Sequence, residues 1–488
     1  MRSTLPRLAA IGCAFALSAL PSALSDDLAA RRARAMEALG PKTLLLIQAA
    51  PERTYSLDID YEYRQDSNFY YLTGIEQPAS TLVLMPGNQG RREFLFVREK
   101  DPVAEHWTGR RATPEQAAAR SGVPAVLANA ELDKFLEAVL SGRPYRKDRR
   151  DPRPPDFDAF LNAVAAGDAR LAVVYDTPSK IADPVNPILE YANRLRDRFP
   201  GIAVINAAPL IHSLRLTKTP YERGVLTRSV EISSEAHVAG MRAARPGAHE
   251  YAVKAAIEQV YRDRGALGWG YPSITGSGPN ATILHYAQAG RRMDSGDLML
   301  VDAAANFEYY TGDITRTYPV NGKFSPAQRD IYEIVLDAQN QAIRVARAGA
   351  LPLDVHRKTV DVIKAGLLRL GLITDASGDQ YKTWYSHGSV HYLGIDVHDV
   401  GDADTPLAPG QAFVIEPGIY IREEGLDALE KTKENLAMIE QVRPAFEKYR
   451  GIGIRIEDSF LLTETGLEHL SAKVPRTIPE VEGFLSRR

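Results

Sequence analysis

Between Asp302 and Glu457, five short apolar segments each run into an ionisable side chain, and a fold for this chain has to find a place for those ends. The segments are Leu298-Met-Leu-Val-Asp302, Thr311-Gly-Asp313-Ile-Thr-Arg316, His387-Gly-Ser-Val-His391, Phe413-Val-Ile-Glu416-Pro-Gly418 and Gly451-Ile-Gly-Ile-Arg-Ile-Glu457. Two Asp, one His and two Glu converging on one cavity repel strongly unless cations sit among them. Oxygen-rich ligation with a single nitrogen suits hard or borderline divalent metals, Mn²⁺ before Zn²⁺. Four carboxylates exceed what one catalytic ion needs, so two bridged ions are expected.

At 488 residues the chain exceeds the size of one hydrophobic core, and two domains are expected. Hydrophobic residues at 44% and charged residues at 25% are those of an ordinary globular protein. A net charge of −3 gives no electrostatic reason to expect nucleic acid or an anionic membrane as partner. The first 25 residues read as an export signal. Arg2 and Arg7 supply the positive start, Leu8 to Leu20 the apolar stretch, and Ala23-Leu-Ser25 a small-x-small cleavage site before Asp26. The apolar stretch is too short to span a bilayer, so a periplasmic or secreted protein is expected, with no membrane association after cleavage. Cys13, the only cysteine, leaves with that signal, which excludes thiolate nucleophiles, thiolate zinc sites and disulfides from the mature chain.

The remainder divides into an N-terminal domain, residues 26–213, and a second domain, residues 214–488, with the hinge at Leu214-Arg-Leu-Thr-Lys-Thr-Pro220. In the first, the apolar runs Thr43–Ile47, Thr81–Met85, Glu93–Val97 and Leu171–Tyr175 read as buried strands. Ala117–Ala119, Ala130–Leu140 and Pro187–Arg198 read as helices between them, which implies an α/β layer structure. Ser141–Asp156, dense in Arg and Pro, reads as an exposed loop. In the second domain, helices are expected from Pro220 through Met241, over His249–Arg264, over Pro326–Ala348 and around Leu353–Leu370, the last capped by Asp354. The stretch up to Pro319 is strand-rich, and Lys433–Tyr449 reads as a surface helix.

A hairpin turning at Phe307-Glu308 would set Asp302 directly opposite Asp313, close enough to share an ion; the alternative is that one Asp caps a turn. Ile452, Ile454 and Ile456 alternate toward a core, which puts Arg455 and Glu457 together on the other face of a strand. His285, His387, His391 and His398 stand out among ten histidines as candidates for ligation, carbonyl polarisation or proton transfer. Gly388-Ser389 argues that His387 and His391 sit on a loop, not a helix. His249-Glu250 is not followed by the second histidine of a His-Glu-x-x-His motif, and neither a phosphate loop nor a Gly-x-Ser-x-Gly elbow is present.

These residues resemble the creatinase/aminopeptidase ("pita-bread") superfamily, in its proline-specific branch of aminopeptidase P and prolidase. The resemblance rests on Asp302…Asp313-Ile-Thr-Arg-Thr, His387-x₃-His391-x-Leu-Gly-Ile-Asp-Val-His398, Ile415-Glu-Pro-Gly and Gly453-Ile-Arg-Ile-Glu457-Asp. In the N-terminal half it rests on Tyr63-Arg-Gln-Asp-Ser-Asn-Phe-Tyr-Tyr-Leu-Thr-Gly74 and Phe96-Val-Arg-Glu-Lys-Asp-Pro102. It implies an N-terminal creatinase-like α/β domain followed by a pita-bread domain with a curved, mostly antiparallel sheet. It further implies two divalent ions, Mn²⁺ with Co²⁺ or Zn²⁺ as alternatives. Asp302 would hold one ion, Asp313 and Glu457 would bridge, and His391 and Glu416 would hold the second. His285 would line the substrate site, His398 would lie near the scissile carbonyl, and His387 near the prolyl ring, with Arg455 and Tyr420 as supporting polar groups.

The implied activity is that of an Xaa-Pro aminopeptidase, acting through a metal-bridged hydroxide on peptides with proline second. An Xaa-Pro dipeptidase is the alternative within the class, and a non-catalytic peptide-binding pita-bread protein the alternative outside it. Related enzymes are often dimers or tetramers, so a homo-oligomer is compatible. Two features depart from the family pattern: Ser389 and Val390 precede His391 where a serine often stands immediately before it, and a charged segment from Arg422 to Arg450 separates Glu416 from Glu457.

Overall fold

Apolar runs without alternation give strands that are buried on both faces. Thr43–Gln48, Thr81–Leu84, Glu93–Val97 and Ala169–Val173 form the buried middle of a six-stranded N-terminal sheet, and its edge strands Ala125–Ala128 and Ile202–Asn206 are only partly buried. The structure is a computed structural model that describes residues 20–488 apart from 142, 144, 146–153, 176–179 and 181. It divides into two compact units between Leu214 and Arg215. Most of the leader expected over residues 1–25 lies outside the described residues, and residues 20–25 open the helix Leu20–Leu39. Most of the loop expected over Ser141–Asp156 lies outside them too.

In the first unit the strand order across the sheet is Ala125–Ala128, Glu93–Val97, Thr81–Leu84, Thr43–Gln48, Ala169–Val173, Ile202–Asn206. The central strand Thr43–Gln48 pairs antiparallel with Thr81–Leu84 and parallel with Ala169–Val173, so the sheet is mixed. Leu44 and Leu46 pack with Phe135 and Val139 of the helix Leu132–Leu140 and with Ile188 of the helix Pro187–Arg198. Leu45 and Ile47 point to the opposite face and are equally buried.

The second unit opens on the helix Pro220–Ala243, whose start the sequence encodes locally. Thr219 and Glu222 exchange side-chain and backbone hydrogen bonds in a capping box, and Pro220 occupies the first turn. The same device starts the helix Pro326–Val345, through Ser325 and Gln328. The helix Pro220–Ala243 packs against Glu250–Asp263, and Pro326–Val345 packs against Pro352–Leu370. Gly366 lets the last of these close on Pro326–Val345: a Cβ there would lie 2.5 Å from Ile334 Cγ2. Asp354 does not cap its helix; it pairs with Arg357 one turn on, and Leu351 takes the cap position without a side-chain bond.

Against these helices lie short strands whose pairings, among the described residues of this unit, are all antiparallel. Leu298–Asp302 runs between Ile274–Ser277 and Thr315–Pro319, Ala412–Ile415 pairs with Asp458–Thr463, and Gly418–Tyr420 pairs with Gly453–Arg455. A bridge between Thr315 and Glu457 joins two of these sets.

Two further expectations need correction. Asp302 faces Thr315, not Asp313, because the turn sits at Glu308-Tyr309, one residue later than expected. Both turn residues take positive φ, 48° and 70°, as a two-residue hairpin turn of the I′ kind requires. Neither is Gly or Asn, so the sequence carried no local sign of it. Contacts from the helix Pro220–Ala243 hold the turn instead: Tyr221 donates to Glu308 and Tyr310 donates to Glu222. The helix Lys433–Tyr449 is present but is not merely a surface element. Met438, Val442, Phe446 and Tyr449 form a buried stripe in the main core, and Phe446 stacks on Trp384 at 5.9 Å.

Candidate metal centre

Four of the five ligand candidates stand at or beside the end of a strand, and the fifth lies on a loop. Asp302 ends Leu298–Asp302, Asp313 lies in the irregular Gly312–Ile314 just before Thr315–Pro319, and Glu416 follows Ala412–Ile415. Glu457 sits between Gly453–Arg455 and Asp458–Thr463, and His391 lies on a loop. Strand ends free a side chain from the ladder while the ladder still fixes its backbone. Their donor atoms meet in three overlapping groups, each mutually within 4.8 Å: Asp302, Asp313 and Glu457; His391, Glu416 and Glu457; Asp313, His391 and His398.

The geometry around His391 shows what such a set can hold. Its Nδ1 is 3.2 Å from the Tyr392 carbonyl, to which it donates, leaving Nε2 bare. That Nε2 faces Asp313 Oδ2 at 3.6 Å, Glu416 Oε1 at 3.6 Å and Glu457 Oε1 at 3.7 Å. These separations are too long for hydrogen bonds. They are close to the roughly 3–3.5 Å that separates two donors sharing an ion at about 2.1 Å. Glu457 Oε1 is buried and accepts no hydrogen bond. Burial, then Glu457 and Asp302, push the Asp313 carboxyl well above its usual range, and burial and Glu457 do the same to Glu416. Against the lowering effect of burial, Glu457 and Glu416 hold the His391 imidazole above its ordinary value. Divalent cations among these groups remove the repulsion and displace the proton, so the donor set fits them.

A second network stands beside the first. Arg455 donates to Asp302 Oδ2, to Thr315 Oγ1 at 3.0 Å and to Tyr420 Oη at 2.8 Å. His387 Nδ1 donates to the Gly388 carbonyl at 2.6 Å, and its Nε2, 2.9 Å from the Tyr420 hydroxyl, accepts from that hydroxyl when the ring is neutral. This arrangement suits a neutral His387 with its proton on Nδ1. Burial, then Arg455, lower its pKa to about 3. His398 packs its ring on His391 at 4.2 Å between centroids, and partial burial, then the charge of His391, lowers its pKa. It is exposed on its open side despite its apolar flanks. His285 is exposed and near enough to add to that lowering of His398.

Sequence reasoning missed several residues. Tyr271 donates its hydroxyl to Asp302 Oδ1 at 2.6 Å and reaches Asp313 Oδ1 as well. Thr315 donates to Glu457 Oε2 at 2.7 Å, and Ser459 bonds both the amide and the carbonyl of Asp313. Arg316 is buried and holds the Glu457 carbonyl at 2.7 Å and Asp458 Oδ1 at 2.6 Å. Only Arg316 had a sequence signal, since a charged residue within a strand packed into the interior demands partners.

His237 was also missed. It is wholly buried under this region with Nε2 3.0 Å from the Ala303 carbonyl, and burial, then Arg316, lowers its pKa to about 4. Between pH 6.5 and 4 the unfolded chain therefore binds a proton that the folded chain refuses, and stability falls as pH falls. Wild-type protein is expected to lose up to about 3 kcal/mol across that window through this residue. Urea unfolding at stepped pH checks this; a His237→Phe variant with an equally steep acid dependence would refute it.

Known proteins match this chain over most of its length. Residues 225–464 match metallopeptidase family M24, and residues 28–146 match the aminopeptidase P N-terminal domain. The chain is 36% identical over 470 residues to the Xaa-Pro aminopeptidase of Escherichia coli (strain K12), covering 93% of this chain and 96% of that one. Solved structures agree: aminopeptidase P from E. coli with the inhibitor Pro-Leu superposes with a TM-score of 0.78 at 33% identity, covering 95% of this chain and 98% of that chain. Zinc-substituted E. coli aminopeptidase P in complex with product does so with a TM-score of 0.78 at 34% identity, with the same coverage. The chain thus belongs to the aminopeptidase P branch of metallopeptidase family M24, a two-domain α/β architecture ending in a pita-bread domain.

Proposed function

We propose that this chain is a metal-dependent Xaa-Pro aminopeptidase whose Asp302, Asp313, His391, Glu416 and Glu457 hold two divalent ions, Mn²⁺ by preference. The observation that carries the reading is the bare His391 Nε2 facing three carboxylate oxygens at 3.6–3.7 Å, with Glu457 Oε1 left unsatisfied. When bound, two such ions supply an activated water at neutral pH and polarise a carbonyl.

The chain's own residues do the rest. Glu416, at the rim of the ligand set, accepts the proton released on attack and delivers it to the departing prolyl nitrogen. His398, beside His391, donates to the oxygen on which charge develops. His387, held by Tyr420, presents a neutral face to the prolyl ring, and the rigid Arg455 link keeps that wall in register with Asp302. An Xaa-Pro amide has no N–H to donate and cannot be bound as a regular strand, so a site that grips the ring and the free amine suits it. The mature protein is read as exported, on the strength of its leader alone.

A peptide panel tests this. Ala-Pro-Ala is expected to be cleaved at Ala-Pro with added Mn²⁺ and spared after chelation. Cleavage confined to the dipeptide Ala-Pro would favour a dipeptidase, and no cleavage at all a binding protein.

A further inference from the structure

No step above uses the imidazole of His356. It projects from the helix Pro352–Leu370 and is half-buried, and its Nδ1 lies 3.0 Å from Ser389 Oγ and 3.2 Å from Ser389 N. A backbone N–H can only donate, so Nδ1 is the acceptor and the ring proton resides on Nε2. The serine hydroxyl donates to the same nitrogen. Ser389 is fully buried, and its carbonyl accepts from the Glu416 amide at 2.9 Å. The next link runs from the Val414 amide to the His391 carbonyl, also 2.9 Å. One side chain from a helix outside the strand sets thus fixes the loop midway between His387 and His391, at the point where it meets Glu416. The His356 ring also lies 6.2 Å from that of Tyr385, whose ring meets His387 edge-on at 4.9 Å.

We propose that His356, acting through Ser389, is a positioning residue that sets the His387–His391 loop against Glu416, and so governs ion retention and turnover. The arrangement accounts for the departure noted in the sequence, where serine stands two places before His391 instead of one: its hydroxyl serves the helix and not the ligand. The proposal rests on the reading of the site as an ion-dependent peptidase.

The test compares His356→Asn, His356→Gln and His356→Ala in the full chain. Asn sets an amide oxygen near where Nδ1 lies, whereas Gln carries its own near Nε2. Two quantities are read: the dissociation constant for Mn²⁺ alone, by chelator competition, and kcat/KM on Ala-Pro-Ala. The Gln and Ala variants are expected to weaken Mn²⁺ and lower kcat/KM by roughly tenfold each, as loss of an outer-shell partner does. The Asn variant is expected within about threefold of wild type on both scales, because its acceptor is restored. Asn as impaired as Gln, or both indistinguishable from wild type, overturns the proposal. The Asn and Gln pair decides the matter even if the Ala variant fails to fold. Wild-type protein that neither binds Mn²⁺ nor cleaves the peptide would sink the underlying reading, and the proposal with it.

Discussion

Asp313→Asn is expected to abolish Xaa-Pro cleavage, by on the order of a thousandfold or more, while making the metal-free protein more stable. The two effects have one origin. Asp313 is buried with its carboxyl pushed well above the usual range by that burial and by Glu457 and Asp302, so the bare fold strains against its charge. Neutralising it relieves the strain and removes a carboxylate that the proposed site needs to hold its ions. The sign with pH follows. A carboxyl raised in the folded state binds more protons there than when unfolded, so the metal-free fold weakens as pH rises. The melting advantage of the variant should therefore widen from pH 5 to pH 8, by roughly 1–2 °C for each kcal/mol relieved. Saturating Mn²⁺ should reverse the order, because only wild type gains from binding. Calorimetry with chelator and with Mn²⁺ reads all of this in one series. A variant less stable than wild type in chelator would show that the carboxylates are not in conflict.

Arg455→Met should be the most destabilising single change in the site. The guanidinium is 3% exposed and serves Asp302, Thr315 and Tyr420 at once. Methionine keeps much of the stem but leaves the Asp302 charge buried without its partner, which costs about 3–5 kcal/mol. The loss should be largest in chelator and smaller with Mn²⁺, since the ion supplies the missing positive charge. Arg455→Lys should fall between, because a point charge cannot span three acceptors as the fork does. Urea midpoints with and without Mn²⁺ check the ordering; a loss that Mn²⁺ leaves unchanged would mean that Arg455 supports only the packing.

The elements that the sequence announces locally are those with a local cause. Thr219-Pro220 with Glu222 and Ser325-Pro326 with Gln328 carry whole helix starts in four residues, and both appear as expected. The strand ends at Asp302 and Glu416 were readable because an apolar run stops on a charge. What could not be read depends on contacts between distant segments. The turn at Glu308-Tyr309 is imposed by Tyr221 and Glu222, more than eighty positions earlier. Tyr271 sits in the irregular Gly270-Tyr-Pro272, where nothing hints at two carboxylates. The stripe Met438, Val442, Phe446 is helical in period, but only the position of Trp384 reveals it as core. His356 and Ser389 are likewise joined by the packing of a helix on a loop.

The measurement that bears most directly on the whole account is an anomalous difference map at the manganese edge, from crystals grown with Mn²⁺. Two peaks are expected about 3.5–4 Å apart, with Asp313 and Glu457 between them, Asp302 on one, and His391 and Glu416 on the other. A single peak, or density away from these five side chains, would contradict it.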